Sequence, residues 1–363
     1  MSKKRMKSTC PYYGLNDYQY WRKSVAGLEP SKVDPFNKTP FIIKKTDKIA
    51  TAGSCFAQHV ARYLKNSGYN YYIAEQAHPI ISEQVAESLG YGLFSARYGN
   101  IYTSRQLLQL FQRAFGEIVP KESIWEENSQ FFDPFRPFIQ DHGFVSETEC
   151  IEDRKQHLSK VKTMFQELDI FVFTLGLTET WMSKEDQIVF PIAPGCGAGK
   201  FNKEKYQYHN LSVTDVINDL NCFVEKLEQV NEKAKIILTV SPVPLVATFE
   251  NNSVLSSTTY SKSVLRVAAE QVQSNFNNVT YFPSYEIITG PHSRGRYFED
   301  DLREVKEEGV NHVMSVFMNN FCEGQNGKGI SVPVIEEDTE ISKMADKVKK
   351  INSVLCDEEQ YDL

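Results

Sequence analysis

The chain has 363 residues, 41% apolar and 24% charged, a composition that supports a packed core and excludes a disordered or collagen-like polymer. A net charge of −7 supplies no basic face of the kind phosphate backbones select, so nucleic acid is not an expected partner. No run approaches the ~18 apolar residues of a membrane span. The basic residues 1–7 lead into Ser8-Thr9-Cys10-Pro11, where a secretory signal would need an apolar stretch, so a cytoplasmic location is expected.

In chain order, residues 1–45 are polar and aromatic with several prolines, and read as an irregular N-terminal arm. The body, residues 46–325, opens with a strand near 47–52 that ends at Gly53. Phe56, Val60, Tyr63 and Leu64 then recur at helical spacing up to Gly68. Leu158, Val161, Phe165 and Leu168 mark a helix feeding the apolar strand 170–175. Val216, Leu220, Phe223, Leu227 and Val230 mark another before the strand 235–240. Val264, Ala268 and Val272 lead to a last strand at 279–282, and Val310, Val313, Met314, Phe317 and Phe321 pattern a further helix. Helices alternating with buried strands predict an α/β fold, a mostly parallel sheet with helices on both faces. The stretches 117–150 and 180–213 read as long irregular insertions that shape a pocket. In the tail, 326–363, Ile341, Met344, Val348, Ile351 and Leu355 predict one amphipathic helix docked on the body.

Chemistry is expected outside the carboxyl ends of the strands, where Gly53-Ser54-Cys55, Gly176-Leu177-Thr178-Glu179 and Ser241-Pro242-Val243-Pro244 converge. A strand-to-helix turn aims side chains at a helix N-terminus, which stabilises a developing anion. There Cys55 would be activated as a thiol, and Ser54 would need a base. The same two residues also read as a helix cap and a small buried hydrophobe. Oxyanion donors are sought in the amides of Ser54, Cys55 and Gly99, in Asn100, and in Thr178. Seven scattered cysteines without a Cys-x-x-Cys pair read as free thiols. No histidine falls at metal-ligand spacing, so metal-free chemistry with no required cofactor is expected. The loop Pro194-Gly195-Cys196-Gly197-Ala198-Gly199-Lys200 lacks the ending of a phosphate loop; if it binds anything, the phosphates of an acyl carrier such as coenzyme A fit.

Five ordered blocks between about residues 35 and 322 resemble the GSCFA family, grouped with the SGNH hydrolases. They are Thr51-Ala52-Gly53-Ser54-Cys55-Phe56-Ala57, the stretch 94–103 (FSARYGNIYT), Thr174-Leu175-Gly176-Leu177-Thr178-Glu179, Ser241-Pro242-Val243-Pro244-Leu245, and Tyr281-Phe282-Pro283-Ser284-Tyr285-Glu286-Ile287. The resemblance implies a three-layer SGNH-hydrolase or flavodoxin-like sheet. It also implies acyl transfer, as an esterase, deacylase or O-acyltransferase, on a glycan or polysaccharide-related substrate. In that register Cys55 stands where the nucleophile belongs, Gly99, Gly176, Thr178 and Glu179 belong to the substrate crevice, and Thr178 replaces an asparagine. The Asp-x-x-His segment falls on Asp301-Leu302-Arg303-Glu304, without its histidine, so the base is sought in His312, in His292 or, as a weaker third, in His59. The missing histidine also motivates the rival expectation, a non-catalytic carbohydrate- or partner-binding protein. The sequence leaves the oligomeric state open.

Overall fold

The computed structural model describes residues 10–37, 39–140 and 142–323; the expected tail helix lies outside the described residues. After two short 3-10 turns and a π-helical turn in the arm, the elements follow in order. First come β1 (Ile49–Gly53), α1 (Phe56–Asn66), α2 (Glu83–Ser88), α3 (Ser104–Ala114), β2 (Trp125–Glu127), β3 (Gln130–Phe132), α4 (Glu147–Glu167) and β4 (Ile170–Leu175). Then β5 (Glu179–Ser183), β6 (Val189–Phe190), β7 (Tyr206–Asn210), α5 (Val213–Val230), β8 (Lys235–Val240), α6 (Val254–Asn275), β9 (Val279–Phe282), α7 (Ser284–Thr289) and α8 (Glu307–Phe321) complete it.

The central sheet has four parallel strands in the order β1-β4-β8-β9. Its side chains alternate between two cores, as a period of two requires. Phe171, Phe173, Ile236 and Leu238 pack toward α3, α4, α5 and α6. Ile170, Val172 and Ile237 pack toward α1, α7 and α8. Both faces are therefore covered, which is why the strands read as unbroken apolar runs.

The sheet's edges are closed by loop and side-chain groups. On the β1 side, Asn70 and Tyr72 pair with Ile49, the Thr51 amide donates to Ser95 Oγ at 3.0 Å, and the Tyr98 hydroxyl donates to the Thr51 carbonyl. On the β9 side, the Tyr281 amide donates to Gln273 Oε1 of α6 at 2.9 Å.

The insertions are more regular than their composition suggested. Residues 180–213 form most of a three-stranded antiparallel sheet, β6-β5-β7, and residues 117–150 carry the β2-β3 hairpin. Periodicity could not show this, because β7 is the polar run Tyr-Gln-Tyr-His-Asn and β6 spans two residues. Trp125, Phe190 and Tyr206 give this region its own small core. The arm meets the body at Ile43, whose amide donates to the Phe321 carbonyl at 2.7 Å.

Candidate active site

β1 ends on Gly53 at φ +141, where an added Cβ would lie 2.7 Å from the Thr174 nitrogen and collide with its carbonyl. Glycine is needed there because the strand leaves the sheet against β4. The Ser54 amide donates to the Thr174 carbonyl at 3.0 Å, the Ile101 amide to the Gly53 carbonyl at 2.8 Å, and the Gly176 amide to the Tyr102 carbonyl at 2.9 Å. Segments 53–54, 101–102 and 174–177 thus lie side by side at the junction of β1 and β4, whereas Gly99, expected to share this hollow, lines a neighbouring one with Asn100 and Gln58. Gly176 is so close that a Cβ on it would stand 3.0 Å from the Ser54 Cβ.

Ser54 and Cys55 are 2% and 4% exposed. Both line a hollow of about 10 Å³, barely the space of one water, closed by Tyr102, Leu177, Ser241, Val243, Pro244 and Leu245. The Ser54 hydroxyl makes no hydrogen bond among the described residues. A buried hydroxyl without a partner costs free energy, and its persistence at a strand-end crevice marks it for attention. Cys55 sits at the N-terminus of α1.

Sequence reasoning missed the basic group of this hollow. Lys262, 2% exposed on α6, donates from Nζ to the Gly176 carbonyl at 2.6 Å and lines the same space as Ser54 and Cys55. A signal was present: Lys262 shares the stripe of Leu265, Ala269 and Val272, which face the core, so a charge falls on an apolar face.

The histidines lie elsewhere. His312 is buried with Nε2 donating to the Val33 carbonyl and Nδ1 accepting from the Tyr297 hydroxyl, both at 3.0 Å, so both ring nitrogens are engaged. His292 stacks edge-on to it, ring centroids 6.4 Å apart. His59 faces Arg62 at 2.9 Å and is held down at about 3 by burial and then by that guanidinium. None of the three lines the Ser54 hollow. Asp301 is exposed and accepts the amides of Arg303 and Glu304.

The expected oxyanion donors are partly committed. Thr178 gives its amide to Ser261 Oγ at 3.0 Å and its hydroxyl to Asn210 Oδ1 at 2.7 Å. Glu179 accepts from the Thr248 hydroxyl and the Phe249 amide. Asn100, buried next to Gly99 at φ +70, receives the Gln58 amide at 3.3 Å.

Beyond Leu177 and Leu245, which form a small cluster with Tyr102, opens a cavity of about 400 Å³. Trp181, Phe201, Tyr208 and Phe249 wall it, and the glycine-rich loop contributes Pro194, Gly195 and Cys196. No lysine or arginine is among its described lining residues.

A parallel sheet wrapped by helices, with serine, cysteine and lysine gathered at the carboxyl ends of its first strands, defines an α/β protein with a crevice-type site. The model of the GSCFA family matches residues 48–317, most of the chain, and the protein belongs to that family. No curated protein matches the sequence. Among the described residues, no helix is long and apolar enough to cross a membrane.

Proposed function

We propose that the chain is an acyl-transfer enzyme with Ser54 as nucleophile and Lys262 as proton carrier. The observation that carries this reading is the buried Ser54 hydroxyl, unpartnered among the described residues, in a hollow that Lys262 also lines and to which no other described residue brings a basic side chain. The sheet order supports it: with the bridge of Tyr71 to Ile49 on the outer side of β1, the sequence of parallel segments is the 2-1-3-4-5 of flavodoxin-like and SGNH-type sheets. In that order the switch point falls between β1 and β4, where Ser54 stands.

In the proposed step, Ser54 Oγ bonds to the carbonyl carbon of an ester or thioester and its proton passes to neutral Lys262 Nζ. The bond to the leaving oxygen or sulfur breaks, and Nζ returns the proton to it. Water or a sugar hydroxyl then takes the acyl group by the reverse sequence, which makes the glycan the acceptor and a thioester such as acyl-coenzyme A a suitable donor. The dipole at the N-terminus of α1, which Cys55 caps, favours the developing oxyanion. Access requires Leu177 and Leu245 to part, joining the hollow to the aromatic cavity, whose apolar wall suits the acyl chain.

The near-complete burial of Ser54 and Cys55 favours a second reading, a non-catalytic protein that binds its ligand in the aromatic cavity alone. Turnover of a short-chain aryl ester and of acetyl-coenzyme A by wild type, Ser54→Ala, Cys55→Ala and Lys262→Ala separates the two. Loss in Ser54→Ala, with an acyl group trapped on residue 54 by mass spectrometry, supports catalysis. Equal rates in all four proteins end it, and an acyl group on residue 55 moves the nucleophile one position on.

A further inference from the structure

A second polar site lies between α3, α4 and the segment 133–136. Asp133 is buried between Arg136 Nε at 2.8 Å and Arg154 Nε at 3.0 Å. Asp153 joins Arg136 at 2.7 Å and Arg97 at 2.9 Å, and Glu75 holds His157 Nδ1 at 2.7 Å, with Arg97 3.9 Å away. Arg113 completes the group, stacked 3.9 Å over the Phe135 ring and without a carboxylate partner among the described residues. Four guanidinium groups, of Arg97, Arg113, Arg136 and Arg154, therefore meet three carboxylates, of Glu75, Asp133 and Asp153, and one positive charge is left over.

Three buried nitrogens of this cluster make no hydrogen bond among the described residues: Arg113 Nε, Arg136 Nη1 and His157 Nε2. All three residues line one hollow of about 20 Å³, which Asn100, Gln106 and Gln109 also border. Buried polar atoms left unpaired are costly, and such convergence in native proteins marks the place of an unseen water or ion. A water would satisfy the geometry and leave the charge unbalanced. We infer that this hollow is a site for a monatomic anion, chloride being the halide at hand, held by Arg113 and Arg136.

Proton uptake is linked to it. His157 donates from Nδ1 to the Glu75 carboxylate, so its neutral ring turns a lone pair on Nε2 toward the hollow. Protonation converts Nε2 into a third donor, and the anion offsets the added charge. The other groups facing the site are the ion-paired carboxylates of Glu75, Asp133 and Asp153, the four guanidinium groups, and Tyr98, whose hydroxyl burial pushes well above its ordinary value. Anion and proton are therefore taken together, and affinity rises as pH falls. Burial, opposed by Asp133 and reinforced by Arg154 and Arg136, holds Arg113 down at about 9, as an uncompensated cation should be.

The test uses the whole protein and needs no substrate. Crystals soaked in sodium bromide at pH 5.5 should show an anomalous peak between Arg113, Arg136 and His157. In parallel, Tm should rise by roughly 3 °C with added sodium chloride against sodium gluconate of equal ionic strength. The rise should be larger at pH 5.5 than at pH 8 and absent in Arg113→Gln. No peak in the hollow, or equal Tm in chloride and gluconate, overturns the inference and leaves a water there.

Discussion

The Ser54 hollow and the arginine-carboxylate cluster are both buried and both contain polar atoms unpartnered among the described residues, yet they are built on opposite plans. Around Ser54, Lys262, the Cys55 thiol and the Ser241 hydroxyl sit among Tyr102, Leu177, Val243, Pro244 and Leu245, and the amides of Ser54 and Gly176 are already bound to carbonyls. Around Asp133, charge is dense and nearly every group is braced by a second one. A braced cluster is hard to rearrange, since removing one partner strands the others in a low dielectric. A sparse polar corner under an apolar roof can open with little electrostatic loss. The first plan suits a site that admits a ligand by moving, the second a fixed support.

Substitutions sharpen this contrast. The largest effect is expected for Ser54→Ala: turnover of an aryl ester falls about 10³- to 10⁴-fold while the urea midpoint stays put. A parallel loss of stability would break the contrast. Asp133→Ala is the converse, costing about 3–5 kcal/mol in urea unfolding with kcat per folded molecule kept, because Arg136 and Arg154 lose their shared carboxylate. Gly53→Ala is expected to lower stability by about 1–3 kcal/mol, since φ +141 strains any side chain and the new methyl meets Thr174. Unchanged unfolding would show that β1 and β4 separate more easily than their packing implies.

The smallest effects are in pH. Glu75 is pushed up by burial, but His157, the Arg97 amide and Arg136 outweigh this and hold it at about 2 instead of 4.5. His59 is lowered to about 3, and His157, His292 and His312 are lowered too, burial leading in each. In every case the unfolded chain binds protons that the folded one refuses, so stability rises with pH across these windows. Tm should therefore begin to fall below pH 6.5 and fall faster below 4.5. Activity depends on another group: Lys262→Ala should lose most of the aryl-ester turnover and His312→Ala little, and the reverse result would return a histidine to the mechanism.

The sheet was legible because both its faces are buried, which writes strands 170–175 and 235–240 as plain apolar runs. The meeting of 54, 176 and 241 was legible because parallel strands deliver their carboxyl ends to one crevice; Gly99, which follows no strand, borders a neighbouring hollow instead. The lysine of this hollow was not, since Lys262 lies on α6, far from Ser54 in sequence. The cluster was illegible for a related reason: Glu75 and His157 are 82 residues apart, and nothing in either neighbourhood announces the pairing. β7 escaped because its alternation is polar on both sides.

The stoppered rims of the central sheet carry one more consequence. Ser95 Oγ on the Thr51 amide and Gln273 Oε1 on the Tyr281 amide fill hydrogen-bonding places that a foreign strand would otherwise occupy. The chain can thus keep a short, strongly apolar sheet at high concentration without recruiting neighbours edge to edge, and losing either oxygen would turn that rim into a template for aggregation.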